Sequence, residues 1–414
     1  MADPFVHLHV ASGYSLRYGA SHPQTLVARA AEQEMDTLAL TDRDGAYGAV
    51  KFARACYAAG IRPVLGVELA HRPVLPVPSG GPSVAKARTP VRGGAFREPV
   101  GGGLPRVTFL ATADSAGGGR AGWAALCRLV SGTHLAGERG VPILDLATLD
   151  HDLRDALAAG HLMVMLGPAS ELARAATRRR DDLGMAALAP WRGLVPATHL
   201  LAELVSHRLP GMNGAWGPGT SAHAARMAGL ARRAGIGAVL SNAVRYADRG
   251  DAATVDVLDA ARRLVALDRR HVDRGNAEGY LKSGKEMAEV AEEIARLSGL
   301  GDSEREAQRL LAHTRQVADR CAVDPRRDLG LGEVHFPEFE LSTDHDDADV
   351  ALRARCEGAI GVRYGSGPKA VVWKRLDDEL ETIRTLGYAS YFLTVSDVTD
   401  LIGEMGVRLS LIHI

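Results

Sequence analysis

The chain has 414 residues, of which 46% are apolar and 24% charged, with a formal net charge of -1 and a pI near 7.0. That length suits two or three domains of ordinary size with sizeable cores, and the near-neutral balance excludes a surface that is basic throughout for nucleic acid. Cys56, Cys127, Cys321 and Cys356 lie far apart without a Cys-x-x-Cys pair, which excludes a zinc ribbon and a disulfide framework.

The first predicted element is a strand over Phe5–Val10. It places His7 and His9 two residues apart, and alternating side chains at i and i+2 share a face of a strand, so two imidazoles could be aimed at one metal. A helix follows over Pro23–Gln33, apolar at intervals of three and four. The run Asp36–Asp42 reads as a strand ending in a carboxylate. A second helix covers Gly48–Ala59, and the strand Arg62–Leu69 carries Glu68 near its end. This β-α-β-α-β opening implies a parallel sheet or barrel, whose strand C-terminal ends collect ligands and catalytic groups. His7, His9, Asp42 and Glu68 fall near such ends and form a candidate metal site, vestigial in its present form.

From His71 to Pro105 the composition is dense in Gly and Pro and reads as a flexible insertion. Strands are then expected at Val107–Ala111, His161–Leu166, His199–Val205 and Ala238–Ser241, with helices at Trp123–Val130, Ala169–Arg178 and Ala222–Ala234. Alternation of strand and helix thus extends a first domain over residues 1–250. Beyond it the pattern becomes helix upon helix, at Ala252–Leu267, Lys285–Ser298, Glu304–Cys321 and Lys374–Leu386, with an extended connector over Gly330–Phe339. This is read as a second domain over 251–414. Arg178–Arg180, Arg262–Arg263, Arg269–His271 and Arg326–Arg327 read as solvated helix faces, with phosphate contact as the alternative.

The start lacks a basic segment followed by an apolar one, and no apolar stretch approaches roughly 18 residues, so a cytoplasmic protein without a membrane span is expected.

The segments Phe5-Val-His-Leu-His-Val10, Ser12-Gly-Tyr-Ser-Leu-Arg17, Leu40-Thr-Asp-Arg-Asp-Gly45 and Gly60-Ile-Arg-Pro-Val-Leu-Gly-Val-Glu68 resemble the polymerase-and-histidinol-phosphatase (PHP) domain that opens the bacterial C-family DNA polymerase alpha subunits. Gly332-Glu-Val-His-Phe-Pro337 and Glu379–Val395 look like the entry to that family's palm and polymerase core. The resemblance runs from Phe5 to about Arg408 and is nearest the error-prone, ImuC-type branch. It implies an α/β fold: a distorted PHP-type (β/α) barrel, followed by a mostly helical, partial palm-entry region.

The departures from an intact PHP site are specific. Arg43 stands where members with a working metal cluster have His, Arg106 opens a strand that would begin with a ligand His, and Asn242-Ala-Val-Arg-Tyr246 replaces two ligands with Ala243 and Arg245. Guanidinium has no lone pair to offer a metal. Arg43, Arg106 and Arg245 are therefore expected to replace metal charge and to pair with Asp42 and Glu68, with the PHP metal (Zn or Mn) absent. The resemblance further implies a DNA-directed DNA polymerase acting on primer-template and deoxynucleotides with Mg²⁺, in translesion synthesis, with sliding-clamp and mutasome proteins as partners. It places the palm aspartates, in a Pro-Asp-x-Asp motif, beyond Ile414. No catalytic residue is then expected in this chain, and the tail Leu409–Ile414 departs from the family. The alternative reading is a PHP-type phosphoesterase or 3′-5′ exonuclease using His7, His9, Asp42 and Glu68.

Overall fold

A computed structural model of the chain describes residues 4–75, 90–91, 95–96, 103–137, 140–210, 217–268, 271–333, 347–365, 367 and 370–408. The Gly/Pro insertion read over His71–Pro105, most of the connector over Gly330–Phe339 and the tail Leu409–Ile414 lie largely or wholly outside them. Two compact units divide at Leu331 and Gly332.

The first unit is built on a seven-stranded sheet: β1 (Thr37–Arg43), β2 (Arg62–His71), β3 (Arg106–Ala111), β4 (Ile143–Leu144), β5 (Leu162–Leu166), β6 (Leu200–Val205) and β7 (Gly237–Ser241). The spatial order is β1-β2-β3-β5-β6-β7, with β4 beside β2. All pairings are parallel except those of β3, which runs antiparallel to both β2 and β5. The α/β class is as expected, but the barrel is a curled sheet with one reversed strand.

Residues 5–11 do not form a regular strand, because their hydrogen bonds are divided between the two edges of the sheet. Ala39 and Thr41 of β1 donate to the carbonyls of His7 and Val10, while Val244 donates to His9 and Ala11 donates back to Val244. The segment thereby joins the region after β7 to β1 and completes the curl.

Strand alternation sorts the side chains into two cores. Ala39, Val64, Leu110, Met163, Met165, Leu201 and Val239 point inward and pack with Val6 and Leu8. The opposite parity, including Leu38, Leu40, Leu65 and Val67, packs against the surrounding helices. These are α1 (Pro23–Glu32), α2 (Ala49–Ala59), α3 (Gly118–Leu135), α4 (His151–Ala158), α5 (Glu171–Thr177), α6 (Asp181–Arg192) and α7 (Ser221–Ala234), followed by α8 (Ala252–Arg263), α9 (Gly284–Ser298) and α10 (Ser303–Cys321). Their ends follow local chemistry: Ser283 and Glu286 form a capping box at the start of α9, and Gly299 supplies the left-handed residue after it.

The division expected at residue 250 marks where strands cease, yet the compact unit continues to Leu331. The reason is α10. Its Val317, Ala318 and Cys321 complete the inner core, Thr314 Oγ1 accepts from the Leu240 amide at 2.8 Å, and Val323 beyond it donates to the Pro63 carbonyl. The second unit contains α11 (Ala348–Tyr364), α12 (Ala370–Leu386) and α13 (Ala389–Glu404), gathered on Leu352, Leu380, Ala389 and Leu393. Among the described residues no helix is long and apolar enough to cross a membrane.

Candidate functional site

Three inward positions at one end of the sheet carry charge. Arg43 ends β1 beside Glu68 of β2, in register, and Arg106 begins β3 opposite Ala70. Arg43 Nε meets Glu68 Oε2 at 2.5 Å and Arg106 Nε approaches the same oxygen at 3.3 Å. Arg106 also donates to the Glu68 carbonyl at 2.9 Å and to Asp44 at 2.7 Å. Burial alone would raise the Glu68 pKa, but the two guanidiniums outweigh it and hold the carboxyl down at about 2. Glu68 is thus an anion at neutral pH, with one carboxylate oxygen, Oε2, engaged by both arginines.

Asp42 does not join this group. One step along a strand reverses the face, so with Arg43 turned inward Asp42 turns the other way. There its carboxylate accepts from the Ser12 amide at 2.7 Å, the Ser12 hydroxyl at 2.9 Å and the Ser15 hydroxyl at 2.7 Å. Burial nonetheless raises its pKa above the ordinary carboxylate value. Arg43 and Arg106 thus pair with Glu68, whereas the partners of Asp42 are Ser12 and Ser15.

Arg245 does not join it either. It follows β7 rather than lying within it, and its guanidinium turns to Asp259 of α8 at 2.6 Å and to the Tyr18 carbonyl at 3.1 Å. What links it to Arg43 is Tyr18, whose ring lies between the two guanidiniums, 3.3 Å from Arg43 Cζ and 4.0 Å from Arg245 Cζ. Each contact is a cation–π interaction in a partly desolvated setting.

The two histidines serve separate partners. A bend at Leu8 breaks the alternation that would have paired them. His7 Nε2 donates to the Lys282 carbonyl at 2.8 Å, so that nitrogen carries a proton. His9 Nδ1 pairs with Glu203 at 2.8 Å. Burial would lower the His9 pKa, but Glu203, and Glu68 beyond it, raise it above the ordinary histidine value, and Nδ1 is engaged by the Glu203 carboxylate.

Glu203 was not among the candidates read from sequence. It lies on β6 two residues past Leu201, inward like it, and its side chain is fully buried. A Cβ on Gly167 would stand 1.9 Å from Glu203 Oε2, so the close approach requires glycine there. The available signal was a lone carboxylate in the apolar run Leu200–Val205.

Taken together, His9, Arg43 and Arg106 face Glu68, Glu203 and Asp44, an imidazole and two guanidiniums against three carboxylates. Among the described residues no three His, Cys, Asp or Glu side chains are grouped to hold a metal ion. The donors present do not fit a metal cluster: Glu68 is held by guanidinium, His7 Nε2 by a carbonyl, and Asp42 is turned away.

A family profile described as the PHP domain matches residues 7–207, and one described as the bacterial DNA polymerase III alpha NTPase domain matches residues 350–410. An error-prone DNA polymerase from Nocardia farcinica is 29% identical over 98% of this chain and 34% of its own length. One from Symbiobacterium thermophilum is 30% identical over 98% of this chain and 32% of its own. The chain therefore spans about a third of the length of these curated relatives. A solved amidohydrolase from Chromobacterium violaceum is 17% identical over 58% of this chain and 87% of its own, with a TM-score of 0.30.

Proposed function

The chain carries a PHP domain and the opening of a bacterial DNA polymerase III alpha domain, and on that premise we propose that it is the amino-terminal portion of an error-prone DNA-directed DNA polymerase. In this reading the PHP site is structural. The carrying observation is Glu68, clamped between Arg43 and Arg106 where a metal cluster would need free carboxylate oxygens.

Nucleotide addition by such an enzyme uses Mg²⁺ ions held by palm carboxylates. No Pro-Asp-x-Asp motif occurs in these 414 residues, and the acidic pair Asp377 and Asp378 lies on α12, a helix with a single buried residue. This chain contributes scaffold instead. Two guanidiniums compensate a buried carboxylate that would otherwise cost on the order of several kcal/mol, and the PHP fold persists without metal. Primer-template, deoxynucleotides, sliding clamp and mutasome proteins are partners of the whole enzyme in this proposal.

Elemental analysis of the purified chain after exposure to Zn²⁺ or Mn²⁺ tests the site. Less than stoichiometric metal is expected; a stoichiometric ion lost on His9→Ala, with phosphoesterase activity, would establish the alternative. Primer extension tests the polymerase assignment, with no synthesis expected from the 414 residues alone and synthesis expected from the full-length gene product.

A further inference from the structure

The outward face of α2 is built differently from the other basic surfaces. Lys51, Arg54 and Tyr57 recur at intervals of three, so they share one side of the helix, and Tyr47 stands in the turn just before its N-cap Gly48. Tyr47 is 65% exposed and Tyr57 53%. Lys51 Nζ lies 5.4 Å from the Tyr14 ring and Arg326 Cζ lies 4.8 Å from the Tyr57 ring. Positions 51 to 57 span about 9 Å at the rise of a helix.

Charge distinguishes this face. In the arginine runs conspicuous in the sequence, Arg180 pairs with Asp182, Arg262 and Arg263 with Asp273, and Arg327 with Asp328. Residues 49–59 contain no acid, and among the described residues no carboxylate pairs with Lys51 or Arg54. Exposed rings interleaved with cations that lack counter-charge are the elements of a single-strand platform, where bases stack on aromatic faces and phosphates meet the cations.

We propose that this face of α2, together with Tyr47 of the turn before it and Arg326, binds a single-stranded nucleic acid. A duplex suits it less, because stacked bases do not offer their faces to Tyr47 and Tyr57. The inference goes beyond the polymerase reading and does not need it, since strand binding and nucleotide addition are measured separately.

The test is fluorescence anisotropy of a labelled oligothymidylate titrated with the full 414-residue chain at low salt. Saturable binding is expected, tighter than to a duplex of equal length. Tyr47→Ala combined with Tyr57→Ala should weaken it by roughly tenfold or more. Lys51→Gln with Arg54→Gln should flatten the dependence of log affinity on log salt by about 0.7 per charge removed. Arg178→Gln, on an exposed position elsewhere, should leave binding unchanged. All these side chains are solvent-facing, so melting temperatures should match the parent. The proposal is overturned if the oligonucleotide does not bind, if both double variants bind like the parent, or if polyglutamate competes as well as oligothymidylate, which would identify the occupant as an acidic peptide.

Discussion

Glu68 shows how far one residue can depend on its neighbours. Its carboxyl ionises at about 2 in the folded chain, below an ordinary value of 4.5, so its ion pairs stabilise the fold fully above that ordinary value. The contribution is lost as pH falls from 4.5 towards about 2. Thermal melts across that window should decline, and Glu68→Gln should remove part of the decline while lowering neutral-pH stability by about 3–5 kcal/mol, since two guanidiniums lose their anion. An unchanged acid profile in the variant would show that Glu68 is not the titrating group. Gly167 supplies a second case. Alanine there would collide with the buried Glu203 carboxylate, and a loss of about 1–3 kcal/mol is expected from denaturant unfolding.

Among the elements, α8 and the loop carrying Tyr18 hold the stretch after β7. Asp259 accepts from both Arg245 and Arg262 and is itself buried. Asp259→Asn leaves the buried Arg245 without its carboxylate, while Arg262 keeps Asp273, and should cost about 3–5 kcal/mol. Tyr18→Leu, which removes only the ring between two guanidiniums, should cost roughly 1–2 kcal/mol. Equal losses for the two variants, compared in one urea series, would argue against this ranking. The α2 face needs no such buried support: its cations are exposed, and its role rests on what they lack rather than on what they touch.

At the scale of the molecule, the inner face of the curled sheet is closed by an element from far along the chain. Val317, Ala318 and Cys321 of α10 meet Ala39, Val64 and Leu110 from the first strands. A chain ending at residue 331 should therefore melt cooperatively, whereas one ending at residue 250 leaves that apolar face in water and should aggregate. Soluble, cooperatively melting 1–250 protein would refute this account of the unit. The metal-free reading belongs to the same scale: a strong chelator should leave the melting temperature of the whole chain unchanged, since no folding free energy is assigned to metal binding.

Period and composition were enough to place the helices around Pro23, Ala49 and Ser221 and the strands that carry Asp42 and Glu68, because local spacing of apolar residues decides those elements. The family resemblance was equally legible in short motifs, and so was the chemical incapacity of Arg43, Arg106 and Arg245 to ligate. Partners were not legible. Arg245 turned to Asp259, Asp42 to Ser12 and Ser15, and His9 to Glu203, 194 residues away, because which charges meet depends on strand parity and on how the sheet curls. The reversed direction of β3 and the closure by α10 were likewise decided only in three dimensions, where a hydrogen-bonding edge and an apolar face must each find a complement that local sequence does not name.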